Sequence, residues 1–381
     1  MTEIAHRAVP GRAPAAPALE DWWRGIDRVA LAALLMISAA GMVLGLAASP
    51  PLAEKNGLWT YHYVARQAVF LGVAIGLMLA VSTLSPRWIR RGGVVMFLVF
   101  LAATAALPWF GTNFGKGAMR WYSLGVGSIQ PSEFLKPAFV IVSAWLMAGA
   151  QEPSGPPGRL VTGLMAAAIA GMLAMQPDFG QAALLLAVWA AMLFVSGVPV
   201  AVVVGFGALA CAGGVAAYLS SDHFAGRIDA YLVDGVEPNT QLAYAEAAIR
   251  EGGLFGVGAA QGMVKWTLPD AHTDFIIAVA AEEFGLLATL GLIGLFLAVT
   301  MSSLMRLVET RDTFVRLAGT GLAVLFGLQA FVNFAVAVRL LPAKGMTLPF
   351  VSYGGSSALA AGLAMGALLA FTRSRRKRGG A

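Results

Sequence analysis

Ten long apolar runs, separated mostly by short polar intervals, constrain this chain of 381 residues more than any other feature. They fall at 29–48, 67–84, 93–110, 132–149, 160–176, 181–197, 199–219, 275–304, 314–340 and 356–372. Each is close to the roughly 20 residues that carry a helix across about 30 Å of hydrocarbon. Backbone groups in lipid must be satisfied within the segment, so runs of this length dictate helices. The expected fold class is an all-α polytopic membrane protein with about ten transmembrane helices. Only 12% of residues are charged, against about 25% in soluble domains. The 275–304 run is long for one crossing, so its first turns are expected at headgroup level or in a cavity.

The distribution of Lys and Arg orients the bundle. Placing the N-terminus in the cytoplasm puts 16 of the 26 basic residues on that side, in short segments. They include Arg87, Arg90, Arg91, Arg306, Arg311 and the tail Arg373–Arg378. Both termini are then cytoplasmic, consistent with an even number of spans. The expected organisation is a tail over 1–28, a membrane domain over 29–372 and a basic tail over 373–381. One long extracytoplasmic loop, 220–274, lies between spans 7 and 8. The first 28 residues are polar and basic, and the first apolar run is long enough to span rather than be cleaved. The net charge of +6 therefore reads as topogenic, not as a nucleic-acid footprint. A lone cysteine, Cys211, excludes an intrachain disulfide and a thiolate metal site. No phosphate-binding Gly-rich loop and no internal repeat is visible.

With this orientation every polar cluster of chemical interest lies on the outer face. Leu268-Pro-Asp-Ala-His-Thr-Asp-Phe275 passes straight into an apolar run, placing Asp274, with His272, where water gives way to hydrocarbon. A helix starting near Thr273 would put Glu282 on the face of Asp274, with Glu283 alongside. As a general base Asp274 needs burial or the like charge of Glu282, whereas a helix N-terminus favours its ionised form. His272 is the alternative base. Lys116 and Arg120, four apart and followed by Trp121, could present two cations to a phosphate and a ring to a sugar. The same residues would equally serve an interfacial anchor. Gln130-Pro131-Ser132 reads as a helix start, and Glu133 and Lys136 as a buried pair. Asp178, after Pro177, reads as a helix cap or as a cavity wall. In Arg339–Ser357, Lys344 and the opening Ser352-Tyr-Gly-Gly-Ser-Ser357 of the last helix could hold an anion, with Ser352 and Ser356 as ligands.

Taken together, Lys116-Gly…Arg120-Trp121, Gln130-Pro-Ser-Glu-Phe134, Pro177-Asp-Phe-Gly180, His272-Thr-Asp-Phe275, Glu282-Glu283 with Gly285, and Ser352–Ser357 resemble the SEDS family. These are the membrane glycosyltransferases of shape, elongation, division and sporulation, the FtsW/RodA type. The resemblance covers about 29–372, and the run Leu341–Phe350 with Lys344 looks like the division branch, FtsW. It implies polymerisation of lipid II, the undecaprenyl-pyrophosphate-linked disaccharide pentapeptide, on the outer face of the cytoplasmic membrane. It also implies a class B penicillin-binding transpeptidase and other divisome proteins as partners. By position, Asp274 matches the family's essential acidic residue and Trp121 a residue sensitive to substitution.

The expected reaction is an inverting glycosyl transfer without a nucleotide, with Lys116, Arg120 and Lys344 as candidates to stabilise the departing pyrophosphate. A divalent cation, Mg or Mn, could share that task, although no ligand set identifies one. Two rivals stand beside this reading. A lipid II flippase would need a polar path inward, yet Glu133, Asp178, Glu282 and Glu283 all lie towards the outer half. A division scaffold would leave the buried acids unexplained.

Overall fold

The computed structural model describes residues 18–374, apart from 113–118, 124, 126, 221–224, 227–228, 230–240, 269 and 343–344. Lys116, Lys344, much of the 220–274 loop and the tail beyond 374 thus lie outside the described residues. Helix α1 (Ala18–Gly25) leads into α2 (Arg28–Lys55), α3 (His62–Ser82) and α4 (Pro86–Phe110). A two-stranded antiparallel hairpin, β1 (Tyr122–Ser123) with β2 (Ser128–Ile129), precedes α5 (Pro131–Gly149). Then come α6 (Gly158–Met175), α7 (Phe179–Val195), α8 (Val200–Ser220) and the short α9 (Gln241–Gly252). The last three are α10 (Ile276–Val308), α11 (Thr313–Ala337) and α12 (Gly355–Thr372).

Helices α2, α3, α4, α6, α8, α10, α11 and α12 are long and apolar enough to cross a membrane. Helix α5 and the 17-residue α7 occupy the other two expected positions. Helix α12 packs on α3, α5 on α4 and α10 on α2 and α11. Large apolar side chains such as Leu34, Ile37, Met78, Phe139, Met147 and Leu185 are fully buried between them. Helix α8 buries no side chain at all. A helix that is apolar all round needs no core when lipid is its solvent.

Of the boundaries that depart from the sequence expectation, two matter here. Helix α2 continues through Pro50 and Pro51 to Lys55, whereas its apolar run ends at 48. Helix α10 begins at Ile276, not Thr273, and is broken at Gly285, whose φ of 79° and ψ of 178° are non-helical. The break frees backbone groups, and the preceding loop satisfies them. Val257 and Gly258 N–H donate to the carbonyls of Glu282 and Glu283 at 2.9 and 3.1 Å, and Leu286 N–H donates to Gly253 at 2.9 Å. A Cβ on Gly285 would stand 2.4 Å from Gly256 N and 2.5 Å from Leu254 O, so only glycine permits this approach.

The same break redirects the two glutamates. Glu282 and Glu283 are buried, and neither lines the cavity that contains Asp274. A Glu282 oxygen accepts Val264 N–H at 2.8 Å. Glu283 pairs with Lys265 and accepts Ala260 N–H at 2.9 Å. They hold the 256–265 loop onto α10. The expected shared face with Asp274 fails because Asp274 precedes the helix, so helical spacing does not apply to it.

At the opposite end of the bundle, Asp27 caps α2 by accepting Val29 and Ala30 N–H, both at 3.1 Å. It also pairs with Arg306 at 2.9 Å. Ser374 N–H donates to Gly25 O at 2.9 Å, so the start and end of the bundle meet there.

Candidate active site

The Asp274 end of the bundle collects the turn 270–275 and the described residues of two other segments, the hairpin region 112–130 and the stretch 338–354. Three N–H groups, of Thr273, Asp274 and Phe275, donate to Asp270 O at 3.0, 3.1 and 3.4 Å, closing a tight turn ahead of α10. A second turn, 348–352, is stitched to it. Ser352 Oγ donates to Thr273 O at 2.6 Å and accepts Leu348 N–H at 2.9 Å. Tyr353 N–H donates to His272 O at 2.9 Å. Gln67 Nε2 anchors the stitched pair to the bundle through Gly41 O at 3.2 Å and Val351 O at 3.0 Å.

Between these segments lies a cavity of about 1080 Å³. Its wall carries Asp274, His272, Thr273 and Asp270 from the first turn, and Gly345, Met346, Thr347 and Tyr353 from the long stretch. Arg120 and Trp121, Gln130 and Glu133, Tyr63 and Arg66, Asn333 and Ser357 complete the polar lining. The rings of Tyr63, His272 and Tyr353 converge, with centroids 5.4 to 6.2 Å apart. Burial raises the Tyr353 phenol above its ordinary value, and the charge of Arg66 opposes part of that rise.

Asp274 is fixed through its backbone. Its carbonyl accepts Asn333 Nδ2 at 3.2 Å. The same Nδ2 donates to Met346 O at 2.6 Å. Gly345 reverses the chain with a φ of 60°, and a Cβ there would lie 3.5 Å from Asp274 Oδ2.

Arg120 lines the cavity but spends two donors on the scaffold. Its Nε donates to Gln176 O at 2.8 Å and an Nη to Pro177 O at 2.6 Å, tying the hairpin region to the turn before α7. Trp121 is half-buried and pairs with Thr112 in an isolated antiparallel bridge. Asp178 occupies the N-cap position of α7 without a side-chain capping bond; it accepts Gln130 Nε2 at 3.3 Å instead. Burial pushes its carboxyl up to about 6, against the pull of Arg120 and Lys136.

Below this wall lies a buried ionic cluster. Lys136 Nζ contacts both Glu133 oxygens at 3.1 Å, Gln181 Oε1 at 2.7 Å and Gln329 Oε1 at 3.3 Å. Gln181 Nε2 returns a bond to Glu133 at 2.9 Å.

The cavity therefore unites Asp274, His272, Arg120, Trp121 and Glu133 from the sequence-derived set. Ser352 and Ser356 are not among its lining residues: the first hydroxyl is consumed by the stitched turns, and the second is buried. Ser357, which bonds Thr347 Oγ1 at 2.7 Å, lies on the wall instead. Sequence reasoning missed Tyr63, Arg66 and Asn333 as residues of the cavity wall. The available signal was polarity inside apolar runs: Arg66-Gln67 near the start of α3, and Gln329 with Asn333 one turn apart on α11. Among the described residues no three His, Cys, Asp or Glu side chains converge as candidate metal ligands.

The chain matches the family described as "Cell cycle protein", comprising FtsW, RodA and SpoVE, over residues 27–377. It is 41% identical over 359 residues to a Caulobacter vibrioides protein named "Probable peptidoglycan glycosyltransferase FtsW", with 94% of this chain and 92% of that protein covered. A Trichlorobacter lovleyi protein of the same name is 34% identical over 351 residues, covering 90% and 92%. Among solved structures, a chain from "Structural coordination of polymerization and crosslinking by a peptidoglycan synthase complex" aligns with a TM-score of 0.75 at 27% identity, over 91% of this chain and 97% of that one. The Thermus thermophilus rod shape determining protein RodA aligns at 0.68 with 26% identity, over 93% and 99%. The match runs through the whole bundle and the cavity segments alike, and this chain belongs to the FtsW/RodA/SpoVE family.

Proposed function

We propose that this protein is a peptidoglycan glycosyltransferase that polymerises lipid II on the outer face of the cytoplasmic membrane, in septal wall synthesis during division. The observation that carries this reading is Asp274: a carboxylate on the wall of a large cavity, at a helix end, with cations and aromatic rings around the same space. The names of the FtsW relatives support it, as does the aligned chain of a peptidoglycan synthase complex. A class B penicillin-binding transpeptidase is the corresponding partner, with other divisome proteins around the pair.

In this mechanism Asp274 accepts the proton of the acceptor GlcNAc 4-hydroxyl. That oxygen attacks the anomeric carbon of the lipid-linked donor with inversion, forming the glycosidic bond as the bond to pyrophosphate breaks. Negative charge grows on the leaving group, and cations beside the cavity stabilise it. Arg66 joins Arg120, Lys116 and Lys344 as a candidate for that role. Tyr63, His272 and Tyr353 offer apolar ring surface to the sugars, with the prenyl tails between helices. A flippase would require polar continuity to the far end, where the helices are packed by Leu34, Ile37, Met78 and Met147.

The test is polymerisation of lipid II by the protein purified with its transpeptidase. Asp274→Asn is expected to lower the rate by about 10²-fold or more, the scale of general-base catalysis. Wild-type polymerisation by Asp274→Asn would remove the proposed role.

A further inference from the structure

We propose that Asn333, supported by Gln329 one helical turn before it on α11, is a positioning residue that sets the Asp274 carboxylate against the 345–347 segment. The inference rests on the reading of Asp274 as the base. A single nitrogen, Asn333 Nδ2, clips two chain segments that meet from different directions: Asp274 O at 3.2 Å and Met346 O at 2.6 Å. A primary amide supplies both protons from one uncharged atom, which no hydroxyl can do. Gln329 Nε2 takes the next carbonyl, Thr347 O, at 3.0 Å. Its Oε1 receives Lys136, which anchors the ladder to the buried cluster of α5.

Neither clipped segment has regular structure to hold it. Asp274 lies in a turn ahead of α10, and Met346 follows the reversal at Gly345. Asn333 is 2% exposed, and its own Oδ1 has no partner among the described residues. Leucine would fill the same space without that unsatisfied oxygen. What leucine lacks is the NH₂ group, and that group joins the two segments beside Asp274 Oδ2.

A misplacement of about 1 Å at a reacting group costs on the order of 10²-fold in rate. Asn333→Leu, assayed as the complex with the transpeptidase, is therefore expected to lower kcat by roughly 10²-fold and to leave KM for lipid II within about twofold. Asn333→Asp keeps the shape but turns an oxygen towards two carbonyls, and should lose as much. Gln329→Leu, one step removed, should lose less. In an Asp274→Asn background Asn333→Leu should cause no further loss, because residues acting through one group are not additive. A folded Asn333→Leu with wild-type kcat, a loss carried in KM, or losses that multiply in the double variant would each overturn the inference while leaving Asp274 in place. Wild-type activity in Asp274→Asn would instead overturn the base assignment and this inference together. Thermal unfolding establishes that each variant is folded; if Asn333→Leu is not, Asn333→Asp and Gln329→Leu carry the same comparison.

Discussion

Replacing Lys136 by methionine should be among the most damaging single changes in this protein, and its repair by a second change is the informative part. Lys136 and Glu133 are 2% and 5% exposed, with charged atoms 3.1 Å apart. At that separation and an effective dielectric of about 20, their attraction is about 5 kcal/mol. Desolvation of the two ions offsets much of it, so the pair contributes little net stability. Removing one partner is different. Lys136→Met leaves the buried Glu133 carboxyl without its cation and, among the described residues, with Gln181 Nε2 as its remaining side-chain donor, and should cost about 3–5 kcal/mol. Glu133→Gln leaves the ammonium among neutral amide oxygens, and should cost less. The double variant Glu133→Gln/Lys136→Met removes both charges and is expected to be about 2 kcal/mol more stable than Lys136→Met alone. Reversible unfolding of the four proteins in mixed detergent micelles gives the cycle directly. Additive single losses, with the double variant the least stable of all, would show that the pair is not coupled as the geometry requires.

Two further perturbations follow from the fold. Gly285→Ala places a Cβ 2.4 Å from Gly256 N on a residue with φ of 79°, and should cost about 3 kcal/mol or more; an unchanged Tm and unchanged protease resistance of the 253–268 loop would contradict it. Asp178 predicts a pH dependence: its folded pKa of about 6 lies above its ordinary 3.8, so the folded state holds the proton more tightly. Its contribution is fully present below about pH 4 and is lost by about pH 6, roughly 3 kcal/mol in all. Asp178→Asn should remove that slope, and a slope persisting in the variant would assign it to another group.

The ten helices were legible because their signal is length of apolar sequence, which lipid converts into helix with little competition. Their ends were less so. Nothing local to 275–285 reveals that α10 begins at Ile276 or breaks at Gly285. Gly285 is one of 45 glycines, and what makes it a break is the loop around 253–258 feeding donors and acceptors into the gap. A bond between distant segments likewise decided the fate of Ser352: its acceptor, Thr273 O, is 79 residues away, and a hydroxyl read as an anion ligand is in fact a stitch.

The buried acids make the same point about chemistry. Glu282, Glu283, Glu133 and Asp274 all stand in or beside apolar runs, and the cost of burying a charge marks each as purposeful. The purposes separate only by what surrounds the oxygens. Glu283 meets Lys265 and a backbone N–H, and Glu133 meets Lys136 and an amide; both are ionic or hydrogen-bonded joints between segments. Asp274 alone among them comes from a turn whose backbone is clipped by α11 while its side chain opens on a space large enough for sugars. A carboxylate that must take a proton from a substrate needs both conditions, a fixed backbone and a cavity. Glu133 also touches that cavity, yet its oxygens are held by Lys136 at 3.1 Å, which suits it to organising the wall and, on the mechanism we propose, leaves the proton to Asp274.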